Sequence, residues 1–229
     1  MIAVAEAALL RAEPLTVPAH SLAFPESFPL LQGKTMTLHM LLPGETALLL
    51  IDHQDGTMSW VGSIDQDVLK ANALALARAA KALEIPLVLT SSLEDQAQGP
   101  LAKDFEEFVP DEYAGRIKRT GVVNAWDDPA FAAAVEDTGR RILIIAGVTN
   151  DVCTVYPTIT ALERGYTVYV VADAGGSPNG VADEAALRQM ESAGAVIAST
   201  NMILTGLARD WNSPAGQAVL PAVASLIPN

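Results

Sequence analysis

The sequence has little cysteine, few basic residues and few aromatic residues, and the first two shortages each exclude a class of protein. The single cysteine, Cys153, cannot form a disulfide within the chain, so the framework of a small secreted protein is missing. The chain holds 14 Lys and Arg against 27 Asp and Glu, a formal net charge of −13. No basic stripe for nucleic acid is visible, and an anionic membrane surface would repel the chain.

Long apolar runs are also absent, because none reaches the ~18 residues expected of a membrane span. The N-terminal stretch MIAVAEAALLRAEP is apolar, but it lacks a basic region and is interrupted by Glu6 and Arg11. This pattern indicates an arm or short helix rather than a signal peptide. We therefore expect a cytoplasmic enzyme or binding protein, with neither nucleic acid nor membrane as a partner.

Half of the 229 residues are hydrophobic, which favours one folded domain with a sizeable core. Residues 1–44 differ from the rest, because five prolines interrupt a stretch with no sustained period. We predict an N-terminal extension over 1–44, which wraps the domain or reaches a neighbouring subunit, and a folded domain over 45–229. A loosely ordered tail is the alternative. His20 and His39 lie in this extension with no third partner, so they predict no metal site.

From Thr46 onward, short apolar runs alternate with helical patterns. The runs are apolar throughout, which is typical of parallel strands buried on both faces by helices. Strands that alternate with helices favour right-handed βαβ units, and the predicted fold is α/β, a three-layer, doubly wound, mostly parallel and Rossmann-like sheet. The predicted strands span 46–52, 86–92, 141–147, 167–173 and 195–200, and the predicted helices span 66–84, 129–138, 151–164 and 181–193.

Two side chains follow strands of this sheet, and ligands bind beyond the carboxyl ends of such strands. Cys153 comes after the third strand at the start of a helix, where the helix dipole should lower the thiol pKa and favour the nucleophilic thiolate. A buried structural cysteine is an equally supported interpretation. Asp52 ends the first strand, where it has a functional role or is an ordinary turn residue.

A basic run at 116–119 carries three of the chain's 14 basic residues. A cation from this run could settle beside Asp52 and Cys153 and stabilise a thiolate. On the residues alone, a solvated basic loop is the favoured interpretation. The chain has no GxGxxG, Walker A, HExxH or GxSxG motif.

Five segments match a known family. They stand here as LLLIDHQDG (48–56), RTGVVNAWDD (119–128), LIIAGVTNDVC (143–153), ALERGYTVYVVADA (161–174) and MESAGAVIAS (190–199). The chain resembles the isochorismatase-like cysteine hydrolases over about Thr46 to Asp210. Its DHQ and NAWD forms are similar to those of the YcaC-like subgroup.

The resemblance implies a catalytic triad of Asp52, Arg119 and Cys153, with the adjacent Lys118 as the alternative basic member. It implies a cis peptide bond at Val148–Thr149. The Thr149 and Cys153 amides would then hold an oxyanion. An Arg cannot carry a proton in this setting, so its role would be electrostatic.

The resemblance also implies hydrolysis of a non-peptide C–N bond in a small amide, through a covalent thioester, by a homo-oligomer between dimer and octamer. Relatives that hold a metal have a D-x-H arrangement, which the sequence 52–54 lacks, so we expect no metal and no cofactor. The predicted pocket residues are His53, Trp60, Lys118, Asn124 and Trp126. The alternatives are a non-catalytic member of the fold and a redox sensor based on a Cys153 sulfenic acid.

Overall fold

A computed structural model of the protein describes residues 41–227. The predicted extension at 1–44 therefore lies almost wholly outside the described residues, as do His20 and His39. The division into an extension and a domain remains a prediction.

The described residues contain one sheet of six parallel strands in the order β3-β2-β1-β4-β5-β6. This order places β1 and β4 side by side at the centre, where the direction of winding reverses, as in a Rossmann-like fold. The three-layer, doubly wound prediction is confirmed. The strands are β1 (Thr46–Ile51), β2 (Leu87–Ser92), β3 (Ile117–Arg119), β4 (Ile142–Gly147), β5 (Thr167–Val171) and β6 (Val196–Ala198).

The central strand β1 is buried along its whole length, because its side chains alternate between two helix layers. Leu48 and Leu50 belong to one core, and Ala47, Leu49 and Ile51 belong to the other. Full burial of each leucine or isoleucine contributes roughly 1.5–3 kcal/mol. The uninterrupted apolar run in the sequence follows from this two-sided burial.

Nine α-helices cover the sheet within residues 41–227. The longest, α2, begins after Asp65, whose carboxylate accepts hydrogen bonds from the Asp67 and Val68 amides. Between residues 41 and 227, no helix combines the length and the apolar character needed to cross a membrane. The helices are α1 (Asp55–Ser59), α2 (Gln66–Ala82), α3 (Asp104–Phe108), α4 (Pro110–Ala114), α5 (Pro129–Asp137), α6 (Val155–Glu163), α7 (Gly180–Ser192), α8 (Thr200–Ala208) and α9 (Pro214–Ala224).

Two differences from the sequence analysis affect the candidate site. The basic run favoured as a solvated loop instead contains β3, an edge strand whose last residue, Arg119, is buried. A three-residue strand is too short to show a period of its own. The predicted helix at 151–164 begins with a π-helical turn, Asn150–Thr154, and Val152 of this turn is 38% exposed.

Candidate active site

The candidate site lies at the carboxyl ends of β1 and β4, the two strands between which the winding of the sheet reverses. Asp52 follows β1, and Val148 and Thr149 follow β4. The segments diverge beyond these strands and leave a cavity of about 290 Å³ lined in part by Asp52, Thr149 and Cys153. Ligands bind at this position in open α/β sheets.

Asp52 and Arg119 form an ion pair that is almost completely buried, with side-chain exposures of 2% and 1%. The Arg119 Nη2 group donates to both carboxylate oxygens of Asp52. The guanidinium is fixed further by Nε, which donates to the Thr90 hydroxyl at 3.0 Å, and by Nη1, which donates to the Val122 carbonyl at 3.0 Å. Arg119 therefore has a set position beside the carboxylate.

The Asp52 backbone has a φ of 58°, a left-handed conformation that Asp adopts more readily than most residues. Burial raises the pKa of Asp52 above its ordinary value, and the Arg119 charge offsets only part of this effect. A carboxylate with a raised pKa is a better proton acceptor for a neighbouring thiol.

Cys153 lies in the π-helical turn that precedes α6. The Thr149 carbonyl accepts hydrogen bonds from the Val152, Cys153 and Thr154 amides at 3.3, 2.8 and 3.1 Å. The peptide bond between Val148 and Thr149 is cis. The Thr149 amide donates to no backbone carbonyl among residues 41–227, and its hydrogen bond goes to the Cys153 thiol, whereas the Cys153 amide donates to the Thr149 carbonyl. Of the two predicted oxyanion donors, the Thr149 amide thus faces the sulfur, and the Cys153 amide is engaged within the turn.

The expected low pKa of Cys153 is wrong for this structure. Burial raises the thiol pKa well above its ordinary value, and the nearby Asp52 charge raises it further. Arg119 and the hydrogen bond with Thr149 lower it by less. A preformed thiolate is therefore disfavoured, and the thiol needs a base, for which Asp52 is its hydrogen-bond partner.

Of the five predicted pocket residues, Trp60 lines the cavity, with 47% of its surface exposed. His53 is fully buried outside the cavity lining, where its Nε2 atom lies 2.8 Å from the Ala174 carbonyl and its ring packs edge-on against Phe105. Burial lowers the pKa of His53 to about 4, so the ring is neutral at pH 7.

The other three predicted pocket residues also lie outside the cavity lining. Asn124 caps the short 3₁₀ turn Ala125–Asp127 and donates to the Thr160 hydroxyl. Trp126 is buried against Phe131 and donates from Nε1 to a backbone carbonyl. Lys118 points away from Asp52, is 58% exposed, and pairs with Glu94 at 2.9 Å. Adjacent strand residues face opposite sides, which explains why Arg119 reaches Asp52 and Lys118 does not.

The structure adds residues that the sequence analysis did not assign to the site. Thr90, a hydroxyl at the end of β2, holds Arg119 and donates to the Ile117 carbonyl. Its place near the carboxyl end of the predicted strand 86–92 was the available signal. Val123 and Val152 add apolar walls to the cavity, and Asp151 adds a second carboxylate.

Residues 41–227 contain no group of three or more His, Cys, Asp or Glu side chains placed to hold a metal ion. The expectation of a reaction without metal or cofactor remains a prediction.

Comparisons with known proteins agree on one family. The family model described as "Isochorismatase domain" matches residues 46–202. The chain is 40% identical over 169 residues to the "Probable hydrolase YcaC" of Escherichia coli strain K12, covering 74% of this chain and 80% of that protein.

Two solved structures share the fold. One is YcaC from Pseudomonas aeruginosa with hexane-2,5-diol and covalent acrylamide, at a TM-score of 0.75 and 41% identity, covering 83% of this chain and 96% of that one. The other is the YcaC gene product of Escherichia coli, described as an octameric hydrolase of unknown specificity. It has a TM-score of 0.77 and 39% identity, and covers 82% of this chain and 91% of that one.

Proposed function

This chain belongs to the isochorismatase family of hydrolases, and from that premise we propose that it is a cysteine-dependent hydrolase of a small amide. The observation that carries the proposal is the cluster in which Cys153 and Asp52 line one cavity and Arg119 pairs with Asp52 from outside the lining. The cluster joins a nucleophile, a proton acceptor and a fixed positive charge.

The reaction begins with transfer of the Cys153 proton to Asp52, while Arg119 stabilises the charge of the pair. The thiolate attacks the amide carbonyl and forms a tetrahedral intermediate. The Thr149 amide, which donates to the Cys153 sulfur and to no backbone carbonyl among residues 41–227, would then donate to the oxyanion.

Collapse of the intermediate breaks the C–N bond, and the amine leaves with the proton held by Asp52. Water then attacks the thioester as Asp52 accepts its proton. The acid product departs, and Cys153 regains the proton. One carboxylate therefore acts as base and acid in turn, which its raised pKa favours.

The Pseudomonas aeruginosa relative carries covalent acrylamide in its structure. We propose that Cys153 is the corresponding reactive group here, adding through sulfur to the terminal carbon of acrylamide while a proton goes to the neighbouring carbon. Acrylamide also carries an unsubstituted amide, which is the group we propose as substrate.

The test is ammonia release from a panel of small primary amides. We expect Cys153→Ala to reduce turnover by at least about a thousandfold. Intact mass after rapid quenching should show an acyl adduct on the wild-type protein and none on Cys153→Ala. If no amide is hydrolysed and no adduct forms, the proposal is wrong and the non-catalytic alternative is favoured.

We also propose that the chain forms an octamer, because the Escherichia coli relative is described as octameric. A cytoplasmic location remains a prediction. Light scattering coupled to size-exclusion chromatography should give eight times the mass of one chain. A mass equal to that of a single chain would exclude this assembly.

A further inference from the structure

A second carboxylate, that of Asp151, lies in the wall of the cavity beside the candidate nucleophile. Asp151 belongs to the same π-helical turn as Cys153, two residues before it. Its Oδ1 atom is shielded from solvent and has no hydrogen-bond partner among residues 41–227. A buried polar atom without a partner is uncommon in folded proteins. The Asp151 residue as a whole is only partly buried and lines the cavity, so its negative charge acts on a ligand there.

No positive charge compensates Asp151 within the described part of the chain. Asp151 forms no ion pair with any of residues 41–227, and no Lys, Arg or His from that range lines the cavity. The nearby Asp52 carboxylate differs, because Arg119 neutralises it from behind the cavity. The cavity thus holds one balanced and one unbalanced carboxylate.

The remaining walls restrict the body of the ligand. Trp60, Val123 and Val152 present apolar surface to a cavity of about 290 Å³. A small molecule with a short apolar part fits this space, and a positively charged nitrogen on it would both donate to Asp151 and balance its charge. A substrate carboxylate would meet the same charge with repulsion.

We infer that Asp151 determines specificity by selecting small amides that carry a protonated amine. The inference rests on the proposed amide hydrolysis for its reaction, but not for the charge preference of the cavity. Because Asp151 and Cys153 both line a cavity of about 290 Å³, the amine and the scissile carbonyl should belong to one small molecule.

The first test measures charge preference without any catalysis. Cys153 is the only cysteine in the chain, so intact mass reports its modification alone. The probes are three methanethiosulfonates, with a methyl, a 2-aminoethyl and a 2-sulfonatoethyl group, which differ in charge. Each charged reagent's rate is divided by the methyl reagent's rate in the same variant, so that changes in intrinsic thiol reactivity cancel.

We expect the ratio of cationic to anionic rates to fall roughly tenfold in Asp151→Asn, as for loss of a partly shielded charge pair. Asp151→Glu should keep most of the ratio, because it retains the charge. Glu191→Gln, which removes an exposed acid of α7 outside the cavity, is the matched control and should also keep it. The inference would be overturned if the ratio of cationic to anionic rates were the same in Asp151→Asn and the wild type. It would also be overturned if Glu191→Gln lowered this ratio as much as Asp151→Asn does.

The second test compares kcat/KM for 3-aminopropanamide, butanamide and succinamate, which are similar in size and cationic, neutral and anionic. We expect the cationic amide to be preferred and Asp151→Asn to reduce that preference. If none is hydrolysed while the thiol ratio still responds, amide hydrolysis fails and the charge selection stands. If amides are hydrolysed and Asp151→Asn leaves the preference unchanged, the inference fails and the proposed function stands.

Discussion

Two sets of ion-paired side chains lie near the same edge of the sheet, one buried and the other nearer the surface. The Asp52–Arg119 pair is buried, whereas Glu94 meets Arg116 and Lys118 nearer the surface, where the Lys118 side chain is 58% exposed. Arg119 and Lys118 are neighbours in β3, yet the Arg119 side chain pairs with Asp52 and the Lys118 side chain lies at the surface. The face of the strand on which a charged side chain lies, more than the residue type, decides which partner it can reach.

The two carboxylates also shift in opposite directions. Burial favours a higher pKa in both cases. In Glu94, hydrogen bonds from Arg116, Lys118 and Ser91 outweigh burial and lower the pKa to about 2. In Asp52, burial outweighs Arg119, and the pKa is raised. A carboxylate with several partners becomes a structural anion, and one with a single cation in a dry site remains able to exchange a proton.

The largest expected effect is that of Arg119→Ala, which leaves the Asp52 carboxylate buried without its cation. We expect the free energy of unfolding to fall by about 3–5 kcal/mol, with loss of amide hydrolysis. Urea denaturation measures the first effect and ammonia release the second. The double variant Asp52→Leu/Arg119→Met should recover much of the stability without activity. A loss below about 1 kcal/mol in the single variant would contradict the buried pair.

The second effect concerns the Cys153 thiol. The rate of alkylation of the wild-type protein by iodoacetamide should rise only well above pH 9.0, the ordinary pKa of a thiol, because burial and the Asp52 charge raise the pKa of Cys153. Asp52→Asn removes that charge and should move the midpoint to lower pH. Intact mass against pH gives the profile, and Glu94→Gln should leave it in place. An upward shift in Asp52→Asn would refute the charge argument.

A smaller effect is expected for Glu94→Gln, which should lower the free energy of unfolding by about 1–2 kcal/mol at pH 7. The folded pKa of about 2 lies below the ordinary 4.5, so the unfolded chain binds the proton more readily. The stabilisation is full above about pH 4.5 and is lost as the pH falls toward 2. The gap between variant and wild type in urea denaturation should therefore narrow across this range. A constant gap would assign the loss to packing.

Lys118→Ala should have the smallest effect and lower the free energy of unfolding by about 0–1 kcal/mol, because solvent screens the ion pair of Lys118 with Glu94. Ammonia release should be retained. A loss of turnover as large as that of Arg119→Ala would make Lys118 the basic member of the triad.

Much of the fold could be predicted from the sequence. Five of the six strands are apolar runs in the sequence, because both faces of a parallel sheet are buried. Such a run can be recognised from its own residues, without knowing which strands pair with it. Asp52 and Cys153 stood out for the same reason, because each follows such a run. The resemblance added Arg119, which the structure places against Asp52.

What could not be predicted depends on contacts between distant segments. The pKa of Cys153 reflects its burial beside Asp52, which the helix-start argument did not contain. Asn124 and Trp126 looked like pocket residues, but the turn after β3 directs them into a cap and the core, while Val123 of the same turn lines the cavity. The partnerless Oδ1 of Asp151 is likewise visible only in three dimensions.

The brevity of β3 has a consequence for changes in chain length. The segment between Glu94 and Ile117 can tolerate insertions or deletions only if they leave the phase of the strand intact. A shift of one residue turns every side chain to the opposite face. It would bring Lys118 toward Asp52 and expel Arg119 to solvent, exchanging a guanidinium for an ammonium. A single-residue insertion before this strand would thus alter the chemistry of the site without substituting any residue in it.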